Sequence, residues 1–244
     1  ATGMTVEYGK VTSNTVTVAN QAAELDLLTL GKVEIDSVSA PVKTYGGYTS
    51  LSRQVIERSS VPYLDTNFRA MSLAYAKAMN SVATAAVTGL SYTGKTFDVH
   101  AGTYSAVAGG IADGASYIFE HSGFVPEFIL CAPDAYKFFI SIEDAEGRPV
   151  FNVNGDGMNT YGSANVPNLS GSVLGLPIIV DHSLAAGSAF LANSNAVKTL
   201  ESAGSPVRLQ YDDITHLSSD FSVYGYAAIT TPWEGAIVKL KVTA

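Results

Sequence analysis

The residues whose types and spacing could do chemistry lie in two short polar stretches. In "NVNGDG", Asn152, Asn154, Asp156 and Gly157 match the first half of a calcium-loop spacing, with alternating oxygen ligands and a glycine for the sharp turn. The closing position, where a bidentate glutamate is required, falls on Ser163, and the loop offers one carboxylate. That is too little charge for the ion, so the stretch reads as a flexible surface loop. In "YDDITH", Asp212, Asp213 and His216 stand together as a metal or acid–base candidate; in so polar a strand-rich segment the reading adopted is a solvated turn. The four histidines, His100, His121, His182 and His216, show no zinc-ligand spacing. There is no G-x-S-x-G elbow, phosphate-binding glycine loop or Cys–His nucleophile pair. "VHAGTYSAVAGGIADG" lacks the lysine of a phosphate loop and the dinucleotide spacing, so its glycines are assigned to turns. Cys131, the only cysteine, sits in the apolar run "EFILCAPDAY" and reads as a buried structural thiol. The sequence thus points to no catalytic, cofactor-binding or metal residue.

Composition points elsewhere. With 244 residues the chain can bury a substantial core as one large or two interleaved domains. Hydrophobic residues make up 47% and charged residues 15%, which favours a subunit whose surface is shared with neighbours. The net charge of -8 argues against a basic surface for nucleic acid or membrane as the main function, although an acidic chain can enclose nucleic acid without gripping it. Apolar runs such as "VLGLPIIV" are strand-sized, and none reaches the length of a membrane span. The opening "ATGMTVEYGK" is neither a signal peptide nor a start-methionine end, consistent with a chain that is processed, trimmed or partial. Thirteen tyrosines against one tryptophan suit partly wet interfaces, or simply sheet positions.

The elements that would position these residues form a mixed α/β chain with a strand-rich tail. "TVEYGKVTSNTVTVA" and "GKVEIDSVSAPVKTYGGY" alternate β-branched or aromatic residues with polar ones, as strands do. Between them, "NQAAELDLLTLG" carries Leu25, Leu27, Leu28 and Leu30, which are awkward to leave in water. Two readings stay open: an arm buried on another subunit, or an edge hairpin over the chain's own core. After a short polar helix from Leu51, Ser60 and Pro62 begin a long helix that Gly89 stops, about 40 Å from Val61 to Thr88. Leu64, Phe68, Met71, Tyr75, Ala78, Val82 and Ala85 recur along it as one apolar stripe, with Thr84 off the stripe. "GGIADGASYIFEHSGF" predicts a helix with Ile111, Ala115, Ile118 and Phe119 inward, and "PEFILCA" a buried strand. A helix from Pro133 to about Gly147 follows, then strands in "SVLGLPIIVD", "GSAFLANSNAV", "VRLQYDD", "FSVYGYAAITTP" and "GAIVKLKV". No repeat or clean linker separates independent domains.

The succession "APVKTYGGYTSLSRQVIERS", long helix, "PEFILCAPDAYKFFISIEDAEGRPVF", "LGLPIIVDHSLAAGSAFLAN" and "WEGAIVKLKV" resembles the major capsid proteins of tailed bacteriophages, whose fold encapsulins share. The resemblance spans nearly the whole chain, and the order of segments carries it more than any single motif. It implies an α+β phage major-capsid fold with an extended β-hairpin loop, a peripheral domain with a long spine helix and β-sheet, and an axial α/β domain. The implied division is 1–50 for the N-terminal segment and extended loop, 51–107 for the peripheral domain, 108–203 for the axial domain and 204–244 for strands returning to the peripheral domain. The function implied is a structural, non-enzymatic virion subunit, assembled in the host cytoplasm into hexamers and pentamers of an icosahedral head. It would enclose double-stranded DNA without sequence-specific binding, with no cofactor and no membrane. Portal, scaffolding and decoration proteins are the implied partners, and an encapsulin-type compartment housing a cargo enzyme is the alternative. Leu25, Leu27, Leu28 and Leu30 would contact a neighbouring subunit, and Gly31, Gly46 and Gly47 would let the loop flex between quasi-equivalent positions.

Two departures from the family pattern bear on mechanism. Some members weld their subunits through a loop lysine, an asparagine and a promoting glutamate; here those places fall on Leu28 and near Leu217 and Tyr224, with Lys32 close by in sequence. None of the three can form an isopeptide, so a shell without cross-links is expected. The family also carries an N-terminal arm, often preceded by a scaffolding segment, whereas here the strand pattern begins almost at Ala1; either the arm is short or upstream residues lie outside this sequence.

Overall fold

Alternating β-branched and polar residues do fold as strands at both ends of the chain. The computed structural model describes residues 3–21, 27–59, 63–100, 103–142, 162–165 and 169–242. In chain order these form β1 (Thr5–Asn14), β2 (Val33–Pro41), β3 (Lys43–Ser52), α1 (Arg53–Arg58), α2 (Tyr63–Thr88), β4 (Thr96–Asp98), α3 (Tyr104–Ser122), β5 (Phe128–Cys131) and α4 (Pro133–Ile140). There follow β6 (Gly162–Asn165), β7 (Ser170–Val173), β8 (Leu176–Val180), β9 (Ser188–Ala192), β10 (Lys198–Glu201), β11 (Val207–Asp213), β12 (Ser218–Thr230) and β13 (Ile237–Lys241). The chain divides into two units, Ala1–Ala86 with Lys198–Pro232, and Val87–Val197 with Trp233–Ala244. The division therefore falls after Ala86, Val197 and Pro232, whereas the sequence suggested boundaries at 107/108 and 203/204. Hydrogen bonding sets it: β13 lies between β4 and β9 in the second unit, while β10, β11 and β12 pair in the first.

In the first unit, β1 and β2 form an antiparallel two-stranded arm, Tyr8 opposite Val38, that is exposed along most of its length; Ala40 near its base is buried. β12 is the spine of the other sheet. β3 lies along one side of it, and β11 followed by β10 along the other, all antiparallel. Alternate residues of β12, Ser219, Phe221 and Val223, are buried. Phe221 meets Phe68 of α2 edge-on at 5.2 Å between ring centroids, and the Arg208 guanidinium lies 4.9 Å over the Phe68 ring.

The expected stripe of α2 holds for Phe68, Met71, Tyr75 and Val82, but Leu64, Ala78 and Ala85 are exposed, and Met79 is buried where the stripe named Ala78. The proposed steps repeat every 3.5 residues, and a straight helix turns every 3.6, so the buried line drifts by about 20° per heptad. Thr84 is buried as well, its hydroxyl donating to the Asn80 carbonyl at 2.8 Å. The expected start at Ser60 and Pro62 lies outside the described residues.

In the second unit seven strands form one mixed sheet in the order β4-β13-β9-β5-β8-β7-β6. α3 buries Val107, Gly110, Ile111, Gly114 and Ile118. Ile129, Cys131, Phe139, Leu191, Val238 and Leu240 complete that core, each large apolar side chain contributing about 1.5–3 kcal/mol by leaving water. Phe119 is 60% exposed, contrary to the inward position expected, because it follows Ile118 by one 100° step around the helix. The apolar run "SVLGLPIIVD" is two strands: Leu174 and Gly175 both take positive φ, 51° and 80°, in a two-residue hairpin turn between β7 and β8. α4 begins at Pro133 as expected and is helical to Ile140; residues 143–150 lie outside the described part.

Candidate functional site

The polar candidates resolve into turn chemistry. Asp213 ends β11, and its carboxylate accepts the Thr215 backbone N–H at 2.8 Å and lies 2.7 Å from Nδ1 of His216. The Thr215 hydroxyl, His216 and the Thr215 amide together hold Asp213 far below the ordinary carboxylate range. Asp212 is lowered by hydrogen bonds from Ser219 and Gln210, with a smaller contribution from Arg53. The acceptors are thus occupied in ordering the β11–β12 turn, as the solvated-turn reading expected. No cluster of three or more His, Cys, Asp or Glu with metal-holding geometry occurs among the described residues. The candidate calcium ligands Asn152, Asn154, Asp156 and Gly157 lie outside the described residues. Cys131 is fully buried, and burial together with Asp134 pushes its thiol up to about 12.

Apolar exposure is the stronger signal. Beyond the β1–β2 ladder, Leu27, Leu28 and Leu30 are 100%, 71% and 96% exposed; Leu25 lies outside the described residues. The neck of this segment is pinned: Thr15 N–H donates to the Lys32 carbonyl at 2.9 Å and Lys32 N–H to the Thr15 hydroxyl at 3.0 Å. Gly31 sits in that neck, where a Cβ would collide with Val16 and the Thr15 carbonyl. Gly46 is equally constrained, since its Cβ would lie 2.8 Å from that of Tyr224 across the β3–β12 pair. Gly47 is different: a Cβ there meets nothing within 4 Å.

That free space belongs to a cleft of about 260 Å3 within the first unit, lined by Gly46, Gly47, Met71, Ala74, Tyr75 and Ala78 among others. Gly47 on the strand and Ala74 and Ala78 on the helix leave the gap between them, whereas the Cβ position of Gly46 falls on the other face against Tyr224. The sequence reading missed it because it took the glycines for flexibility and the alanines for the buried stripe; their cross-element pairing is a tertiary fact. On the other face of the same sheet, Tyr48, Ser222 and Leu209 align across three strands, and Tyr211 and Asp220 form the next row. Tyr48 and Tyr211 are exposed there, and Tyr224 and Tyr226 meet edge-on at 5.7 Å. The positions matched to the family's cross-link, Leu28, Leu217 and Tyr224, bear no amine, amide or carboxylate, and Leu28 and Leu217 are exposed. Lys32 pairs with Glu34 of its own arm at 2.9 Å.

The described part of the molecule thus displays an arm without a core, exposed leucines beyond it and exposed tyrosines on one sheet face. A family model described as phage capsid protein matches residues 35–239. The chain belongs to the phage capsid protein family. Solved structures agree on the fold. The capsid of an empty GTA particle is similar with a TM-score of 0.71 at 13% identity, covering 100% of this chain and 86% of that one. A protein of Mycobacterium phage Bobi is similar at 0.68 and 10% identity, covering 98% and 85%. The holo-SrpI encapsulin complex from Synechococcus elongatus is similar at 0.68 and 11% identity, covering 100% and 83%. No curated protein sequence matches the chain. This capsid protein therefore has the α+β fold common to phage capsids and an encapsulin, and its role is that of a structural capsid subunit.

Proposed function

We propose that this capsid protein is the major subunit of a tailed-phage head, forming hexamers and pentamers of an icosahedral shell around double-stranded DNA. The observation that carries the reading is the family match over residues 35–239, on a chain whose arm displays Leu27, Leu28 and Leu30 to solvent. The first unit corresponds to the extended loop and peripheral domain, with α2 as its spine helix, and the second unit to the axial domain. Residues 1–50 supply the N-terminal segment and loop, and Leu25, Leu27, Leu28 and Leu30 bury on an adjacent subunit. Flexing at the loop base falls to Gly31, Gly46 and Gly47, of which Gly47 has space around it. The subunit acts by shape and burial and performs no catalytic step. The net charge of -8 suits a wall against which packaged DNA slides without adhering. With leucines and a tyrosine at the three cross-link positions, the shell holds without isopeptides. Assembly takes place in the host cytoplasm, with portal, scaffolding and decoration proteins as partners.

Electron microscopy of the native particles, with their nucleic-acid content, tests this. Closed DNA-filled shells that dissociate to single chains on a denaturing gel are expected; a dispersed small species, or a covalent ladder, refutes the corresponding part. Deleting Ala22–Leu30 should leave a folded subunit that makes no closed shells. The similarity to an encapsulin complex favours one second reading, a compartment with a cargo enzyme. Shells without DNA and with a copurifying protein would select it.

A further inference from the structure

We propose that the depression on the sheet face turned away from α2 is a binding site for a small organic cation, an alkylammonium group held over the Asp220 carboxylate between the rings of Tyr48 and Tyr211. The site lies within one chain, so the inference goes beyond the shell reading and does not rest on it. Strand register places its parts. Tyr211 of β11 stands directly opposite Asp220 of β12, and Tyr48 of β3 stands opposite Ser222, the next residue of β12 on that face. Tyr48 is thus a diagonal neighbour of Asp220. At the usual cross-strand spacings, about 5 Å directly and about 7–8 Å diagonally, both rings come within reach of its carboxylate. Between them the surface sinks into a depression of about 270 Å3, with Leu209 and Ser222 completing the lining.

Charge and ring chemistry select the occupant. The Asp220 side chain has neither a hydrogen bond nor an ion pair among the described residues. Tyr48 and Tyr211 are 80% and 71% exposed, which leaves their ring faces open. The positions that share this face on β3, β11 and the paired part of β12 include Asp213 and Asp220 but no lysine or arginine. Arg208 lies on the opposite face, over Phe68, and Arg53 is held by Glu57 at 2.8 Å. An anion therefore meets carboxylates and no countercharge, which excludes phosphate, sulfate and uronate groups. A cation meets an unpaired carboxylate and the negative faces of two rings, the combination that recognises ammonium groups. One carboxylate supplies too few oxygens for a metal ion. The remaining lining, with Leu209 half exposed, suits the methyl or methylene groups around an ammonium charge.

Equilibrium dialysis of the unassembled full-length subunit against radiolabelled choline, at fixed ionic strength, tests the site. One saturable site per chain is expected. Tetramethylammonium should compete, and dimethylbutanol, the uncharged carbon isostere of choline, should not. Asp220→Asn keeps the shape and removes the charge, and should weaken binding roughly three- to fivefold. Tyr48→Leu and Tyr211→Leu should each weaken it roughly two- to fivefold, whereas Tyr211→Phe, which keeps the ring, should bind as the wild type does. Both tyrosines are exposed and Asp220 is half-buried, so the fold should hold, and the unfolding midpoint without choline checks this. The competition arm uses the wild-type chain alone and decides the matter even where a variant fails to fold. No saturable binding, equal binding by Asp220→Asn, or displacement by dimethylbutanol as effective as by tetramethylammonium overturns the cation site. Displacement of choline by cellobiose would assign the same rings to a neutral saccharide, and overturns it too. None of these results touches the shell reading, which microscopy of the particles tests separately.

Discussion

Two adjacent glycines of α3 should respond to alanine with opposite sign. Gly109 and Gly110 occupy the same helix, so each gains about 1 kcal/mol of helix propensity on becoming alanine. At Gly109 a Cβ meets nothing within 4 Å, and that gain should appear as added stability. At Gly110 the Cβ would lie 2.6 Å from the Asp98 carbonyl oxygen and 2.7 Å from Cγ1 of Val99. Neither neighbour can yield easily: Asp98 is in register with Lys241 in the β4–β13 pair, and Val99 N–H donates to the Lys241 carbonyl at 3.0 Å. Relief requires the helix to move away from the strand, and overpacking of this kind costs about 1–3 kcal/mol. Propensity cancels in the difference between the two variants, which should therefore be about 1–3 kcal/mol in favour of Gly109→Ala. Urea unfolding of the unassembled full-length subunit measures it through the shift in midpoint at constant slope. Equal stabilities, or a more stable Gly110→Ala, would show that the close approach of α3 to β4 does not exist in solution.

Three further outcomes are expected. Leu191→Ala empties a fully buried position on the strand between β13 and β5 and should cost about 2–5 kcal/mol in the same assay, a large part of a typical domain's stability. Asp213→Asn should destabilise the subunit at pH 7 and make little difference in strong acid. A carboxylate depressed in the folded state contributes stability above the unfolded value of about 3.9, and loses it as pH falls through the folded one. Paired unfolding curves at neutral and acid pH check the sign, and a difference that grows in acid refutes it. Cys131, with its thiol at about 12 and no exposed surface, should stay unreactive to a thiol reagent at pH 8 until denaturant unfolds the second unit.

Much of the fold was legible because pattern and period are local. "VRLQYDD" is β11 residue for residue, "FILC" is the buried β5, and the long rod is α2. Where reading failed, a tertiary contact had overridden a local signal. The Gly109–Gly110 pair reads as a turn, yet it lies inside α3, because Gly110 lets the helix back approach the end of β4. "SVLGLPIIVD" reads as one strand because its apolar content hides a turn that depends on Leu174 accepting a positive φ. The stripe of α2 drifted because a 3.5-residue repeat was laid on a 3.6-residue helix.

By itself, then, the sequence determined the class of elements, their order, the absence of cross-linking side chains at Leu28, Leu217 and Tyr224, and the clustering of Leu25, Leu27, Leu28 and Leu30 in one segment, whose exposure at Leu27, Leu28 and Leu30 the structure decided. These follow from residue type and spacing along the chain. The tertiary structure alone decided that β13 joins the sheet of the second unit and that Asp213 and His216 close a turn. It alone set Gly47 opposite Ala74 and Ala78 to leave a cleft. Each of these depends on which distant segments become neighbours, and local periodicity does not encode that.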